Sequence, residues 1–198
     1  MNQIQTNVLC EAVGPQSGLS LRIKQIVLVA VGILVLAVAA KLKVPMYPVP
    51  ITMTTFAVLT IGAAYGPFLG LTTVLGYLII GALGFDIFAS SSADLNGLEY
   101  MMGATGGYLV GYVLATLTLG ALARRGWDRS WVWMAAAMLI GNLVIYIPGL
   151  YWLGLSFGWD QPILAWGLTP FLIGDALKLG LAAILFPTVW ALVGKARA

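Results

Sequence analysis

Long apolar runs, broken only by short polar intervals, leave this chain one kind of environment. They span Ile26 to Ala40, Thr52 to Tyr65, Phe68 to Leu83, Gly103 to Ala123, Trp131 to Phe157 and Leu168 to Val193. A membrane-spanning helix takes about 20 mostly apolar residues. In lipid every backbone N–H and C=O must be paired internally, which a helix achieves by itself. Of the 198 residues 61% are hydrophobic and 9% charged, with a mean hydropathy of +0.97. Soluble domains carry about 25% charge. The expectation is an all-α integral membrane protein, a six-transmembrane-helix bundle. Residues 23–194 form its single domain, and residues 1–22 and 195–198 are cytoplasmic tails. The polar segment Met1 to Ser20 is expected to be disordered.

The breaks have physical signatures. Pro45, Pro48 and Pro50 impose an extended, stiff loop after the first run. Gly66-Pro67 signals a turn. Gly84 to Met102 is the longest polar interval, with Asp86, Asp94, Glu99, Asn96 and Ser90-Ser91-Ser92. A loop of that length suits a lid. With a cytoplasmic amino terminus, Arg22, Lys24, Arg124, Arg125, Arg129, Lys195 and Arg197 lie inside, and Lys41 and Lys43 outside. That asymmetry obeys the positive-inside rule. It sets the proline loop and the serine-rich loop on one outer face.

Against this background the last run stands out, because it holds Asp175 and Lys178. Positions i and i+3 share a helix face. Charges at membrane depth are expensive and mostly serve function. A self-neutralising salt bridge is the plainer reading; a pair that binds a ligand, or a proton relay through Asp175, are the functional ones. Asn142 and Tyr146 lie one turn apart in the fifth run, where they either bridge helices or line a pocket. Asn96, before Gly97, reads as a turn residue. Gly103, Gly107 and Gly111 recur every four residues, a small-xxx-small stripe for close helix packing. Tyr151, Trp152, Trp159 and Trp166 suit an interfacial belt.

Some classes are excluded by what the chain lacks. There is no histidine and one cysteine, Cys10. No disulfide within the chain and no metal site is therefore expected. The sequence has no phosphate-cradling Gly-x-x-x-x-Gly-Lys-Ser/Thr, no nucleophile elbow and no nucleic-acid patch. The reading is a protein that is not an enzyme, has no ATPase site of its own and takes its energy from a gradient or a partner.

Several segments together resemble one family. They are Pro48-Val49-Pro50-Ile51-Thr52 with Thr55-Phe56-Ala57-Val58-Leu59, Gly66-Pro67 with Gly70, and Gly103-Ala104-Thr105-Gly106-Gly107-Tyr108-Leu109. Ile145-Tyr146, Gly149 with Trp152-Leu153, and Pro170-Phe171-Leu172-Ile173-Gly174-Asp175-Ala176-Leu177-Lys178 complete the set. In order and spacing they are similar to the BioY family, biotin-specific substrate-binding (S) subunits of energy-coupling-factor (ECF) transporters. The resemblance implies a six-helix bundle in the bacterial inner membrane, both termini cytoplasmic, which takes up biotin from outside. It implies that Asp175 and Lys178 contact biotin, with Asn96 the candidate for a further loop asparagine. It implies no cofactor beyond biotin as transported substrate. Its partners would be an ECF transmembrane subunit and two ATPase subunits, with a homo-oligomer left open. A self-sufficient proton-coupled carrier, with Asp175 as proton site, is the alternative; a ligand-free scaffold is the third.

Overall fold

A computed structural model describes residues 7–92 and 94–197, the side chains of 195–197 excepted. Short α1 (Leu9–Ala12) precedes α2 (Gly18–Lys41). A two-stranded hairpin follows, β1 (Lys43–Val44) and β2 (Ile51–Thr52), antiparallel with Lys43 opposite Thr52. Then come α3 (Thr54–Ala82), α4 (Gly97–Met102), α5 (Gly106–Arg124), α6 (Trp131–Phe157), α7 (Ile163–Gly167) and α8 (Leu172–Arg197).

Five helical stretches among the described residues are long and apolar enough to cross a membrane. One of them, α3, is two helices joined at Gly66. There the backbone takes φ 78° and ψ 178°, which only glycine adopts at no cost. Pro67 then starts the second arm, where its missing N–H is harmless. A methyl added to Gly70 would come within 3.4 Å of the Gly62 Cα. In one continuous helix residues eight apart stand about 12 Å apart, so the arms turn back on each other. Six helical segments result, as the apolar runs imply. The first arm, residues 54–65, is only about 18 Å long. It is too short to cross a bilayer alone, and Val49, Pro50 and Thr52 of the proline loop, all buried, lead into it.

The bundle is centred on α5, which packs between α3 and α6, while α2 leans on α3 and α8 on α6. In their apolar windows α5 is 67% buried and α2 only 22%. Lipid tails are as apolar as leucine, so helices in a membrane associate through close contact and polar bonds. Glycines give α5 that contact. A Cβ on Gly111 would lie 2.8 Å from the Ile145 Cα, and one on Gly120 2.6 Å from the Gly66 carbonyl carbon.

The two ends of the bundle differ. At one, Lys41 pairs with Asp86 at 2.5 Å and the Lys43 ammonium donates to the Ala89 carbonyl, tying the proline hairpin to the serine-rich loop. The hydrogen bonds from Lys41, then Ser91, hold the Asp86 carboxyl below its ordinary pKa. At the other end Arg124 pairs with Glu11 at 2.6 Å and Arg129 donates to the Asn7 carbonyl. The positive-inside residues described there gather at this second end.

The amino-terminal segment departs from the expected disordered tail. Residues 1–6 lie outside the described residues, but Val8 is fully buried against Gly66 and α2 begins at Gly18, well before Ile26. Glu11 and Lys24 supply the reason: each finds a polar partner that fastens α1 to the bundle. The Cys10 thiol donates to the Tyr65 carbonyl, and burial pushes its pKa up to about 11.

Replacing Gly120 with valine should cost about 1–3 kcal/mol, the usual penalty for overpacking. Thermal unfolding in detergent measures it. A second prediction concerns Asp128, buried in the turn between α5 and α6. Its Oδ2 accepts from Trp190 Nε1 at 2.6 Å, and among the described residues its Oδ1 has no partner. Burial raises its pKa from 3.8 to about 6. The folded chain then binds the proton more tightly than the unfolded one, so this group's contribution to stability falls as pH rises from 3.8 to about 6. Asp128→Asn should flatten melting temperature against pH across that window.

Candidate functional site

Asp175 lies in the first turn of α8, which a short turn over Thr169–Phe171 with Pro170 sets off from α7. A carboxylate is favoured there by the helix dipole. Lys178, one turn on, faces the same way, and its Nζ stands 3.1 Å from Asp175 Oδ1. Both are buried, at 5% and 8% exposure. Each desolvated ion carries a penalty of several kcal/mol unless its hydrogen-bonding capacity is filled. Here it is filled. An ammonium has three donors; Lys178 directs them at the Thr52 carbonyl (2.8 Å), Thr55 Oγ1 (3.0 Å) and Asp175. The Tyr146 hydroxyl donates to Asp175 Oδ2 in a short hydrogen bond.

The local folds that supply these partners follow from sequence. The prolines of the hairpin break regular structure, so the Thr52 carbonyl is free to accept from a side chain. Thr52 Oγ1 accepts from the Thr54 N–H at 3.2 Å, securing the first turn of α3. Tyr146 is presented from α6 one turn after Asn142.

Beside the pair lies a hollow walled by aromatic rings. Tyr77, Phe88, Tyr100, Tyr108, Tyr112 and Tyr146 line it with Thr52, Thr54 and Thr55. Asp175 and Lys178 stand one layer behind; Thr52, Thr55 and Tyr146 line the hollow and bond the pair at once. The hollow is small in this conformation, about 40 Å³, against roughly 300–1,000 Å³ for ligand pockets. Phe88 closes it from the serine-rich loop. Its ring is stacked on Tyr100 at 5.0 Å and edge-on to Tyr77 at 5.3 Å. Tyr77 also donates to the Ile87 carbonyl at 3.1 Å. Phe88 thus makes the serine-rich loop part of the wall of the hollow. On the far side the Tyr108 hydroxyl donates to the Gly167 carbonyl at 2.9 Å, anchoring α7 to α5.

The other residues singled out from sequence fall in different places. Asn142 is buried, and among the described residues its side chain has no hydrogen bond. It does not line the hollow. Asn96 precedes α4 and donates to the Ser92 carbonyl at 3.0 Å, again away from the hollow. Gly107 and Gly111 sit in α5 against α6, but Gly103 ends α4 and is exposed; its carbonyl accepts from Trp152 Nε1 at 2.9 Å. The stripe of small residues therefore starts at Gly107, because Gly103 closes one helix before the next begins. Among the described residues no three His, Cys, Asp or Glu side chains are grouped to hold a metal ion. Sequence reasoning singled out Tyr146 but missed the other tyrosines of the wall and Thr52, Thr54 and Thr55. Their signal was weak, since tyrosine and threonine scattered in apolar runs usually serve packing.

A family model described as the BioY family matches residues 12–195. A probable biotin transporter BioY of Pyrococcus horikoshii is 34% identical over 165 residues, covering 83% of this chain and 95% of that protein. The biotin transporter BioY of Thermotoga maritima is 29% identical, covering 82% and 93%. Among solved structures, the S-component for biotin from an ECF-type ABC transporter superposes with a TM-score of 0.75 at 18% identity. That likeness covers 88% of this chain and 95% of the other, and it shows the fold.

Removing one partner of a buried pair strands the other, at about 3–5 kcal/mol. Lys178→Ala should lower thermal stability in detergent by that order. The double variant Asp175→Asn/Lys178→Met should recover most of the loss, and a fully additive double variant would show that the two residues are uncoupled.

Proposed function

The chain belongs to the BioY family, and on that premise we propose that it is the membrane subunit that captures biotin and delivers it inward. The observation that carries this is the Lys178–Asp175–Tyr146 group, satisfied by protein and set directly behind an aromatic hollow. Biotin offers ureido N–H donors, a ureido carbonyl, a thioether ring and a carboxylate. Flat rings suit its bicycle. Asp175 accepts from an N–H, and Lys178 donates to an oxygen. Of Lys178's three partners, the Thr55 hydroxyl is the one a ligand oxygen most readily replaces, because Thr55 lines the hollow and a hydroxyl can turn to another partner.

The protein is a transport subunit of the inner membrane, not an enzyme, and uses no cofactor. The end carrying Arg124 and Arg129 faces the cytoplasm with both termini, by the positive-inside rule. Biotin arrives from the opposite end, where the loop that carries Phe88 lies. Energy comes from an ECF transmembrane subunit with two ATPase subunits.

Calorimetry on the purified protein should give biotin binding in the nanomolar to low-micromolar range; no detectable binding rejects the reading. Asp175→Asn and Lys178→Ala should each weaken it by about 1.5–3 kcal/mol, the worth of hydrogen bonds to charged groups. Unchanged affinity in both variants removes the pair from the site. Uptake by vesicles that lack any ATPase and that an uncoupler abolishes would favour a proton-coupled carrier instead.

A further inference from the structure

A second cleft, about 520 Å³, opens at the end of the bundle away from the hollow. It lies between α2, the second arm of α3 and the amino-terminal segment. Lys24, Arg124 and Glu11 line it together with Leu21, Leu28, Phe68 and Leu69. Leu28 lies one turn further along α2 than Lys24, and Phe68 is 77% exposed. Two cations beside aliphatic and aromatic side chains match one ligand class: a lipid with an anionic head.

The chain itself places an anion in this position. Glu11 puts Oε1 2.6 Å from Arg124 Nη2, in a part-buried pair. Lys24 Nζ, in the same cleft, donates to the Val13 carbonyl at 2.6 Å and the Pro15 carbonyl at 3.3 Å. Both cations are therefore directed at oxygens of the amino-terminal segment. A phosphate diester presents the same chemistry, with oxygens that accept from Arg in a bidentate fork and from Lys as a point charge.

We propose that this cleft is a binding site for an anionic phospholipid, with phosphate at Arg124 and Lys24 and an acyl chain along Leu28 and Leu69, and that Glu11 competes with the phosphate for Arg124. Head-group exchange then frees α1 from the bundle or fastens it, according to the charge of the surrounding leaflet.

Native mass spectrometry of the full chain, released from detergent with added phosphatidylglycerol or phosphatidylcholine, tests this. The wild type should retain phosphatidylglycerol several-fold over phosphatidylcholine. Glu11→Gln should widen the preference by removing the competitor, and Arg124→Gln with Lys24→Gln should abolish it. A bridge that only stabilises the fold predicts loss in all of these variants, so a gain in Glu11→Gln separates the two accounts. Equal retention of both lipids, a preference that survives in Arg124→Gln/Lys24→Gln, or no gain in Glu11→Gln overturns the proposal. So does displacement of the lipid by millimolar inorganic phosphate, which would make the site one for the free anion.

Discussion

Two opposite charges buried in the bundle make the strictest demand in this structure. An ion pair at this depth persists only if every donor and lone pair around it finds a partner. Lys178 needs three acceptors, and α8 supplies only one of them, Asp175. The other two come from Thr52 and Thr55, more than 120 positions earlier in the chain. That requirement ties the proline hairpin and the start of α3 to α8. Irregular backbone is tolerated at such depth only where it is shielded by protein, and here its exposed carbonyl has a cation to meet. The pair thus organises the loop, and the loop forms one wall of the hollow.

The hollow inherits its polarity from that arrangement. Its walls are aromatic, but Thr52, Thr55 and Tyr146 also line it, and the Thr52 carbonyl and the Thr55 and Tyr146 hydroxyls bond the pair. A ligand polar group pressed against this wall changes the hydrogen bonding of a buried charge, which a purely apolar pocket could not do. The Thr52 carbonyl only accepts, but the Thr55 and Tyr146 hydroxyls are adjustable partners, since each both donates and accepts. They let the charges stay satisfied whether or not a guest is present.

Much of this was legible from residues alone. Six apolar runs marked six helical segments, and Gly66-Pro67 marked the reversal that makes two of them out of α3. Asp175 and Lys178 stood out because charge is so rare in the chain. Asn142 and Tyr146, one turn apart, were left between bridging helices and lining a pocket; Tyr146 lines the hollow and Asn142 does not. The tyrosine walls were not legible, because their convergence comes from four helices, α3, α4, α5 and α6, whose relative rotation no periodicity records. Asn96 and Gly103 look different in space for a local reason: each ends up bounding the short helix α4, whose six residues lay inside a stretch read as loop. The amino-terminal segment was misjudged because its composition is polar, while its order comes from Val8 and Glu11 meeting specific partners on distant helices.

The helices are not all held by the same force. α5 is fixed by close contact: its glycines leave no room for a methyl against α3 or α6. α8 is different. Gly174, Gly180 and Gly194 have nothing within 4 Å of where a Cβ would stand, and only 22% of its apolar window is buried. With no hydrophobic force to press it inward from lipid, α8 depends on polar anchors. One is the Asp175–Lys178 group at the end near the hollow; the other is Trp190 bonded to Asp128 at the far end. Between these anchors Ala182, Ala183 and Phe186 are buried against the bundle, so α8 is held along one face while its opposite face meets lipid. The upper anchor is also the one that borders the hollow, through Thr52, Thr55 and Tyr146.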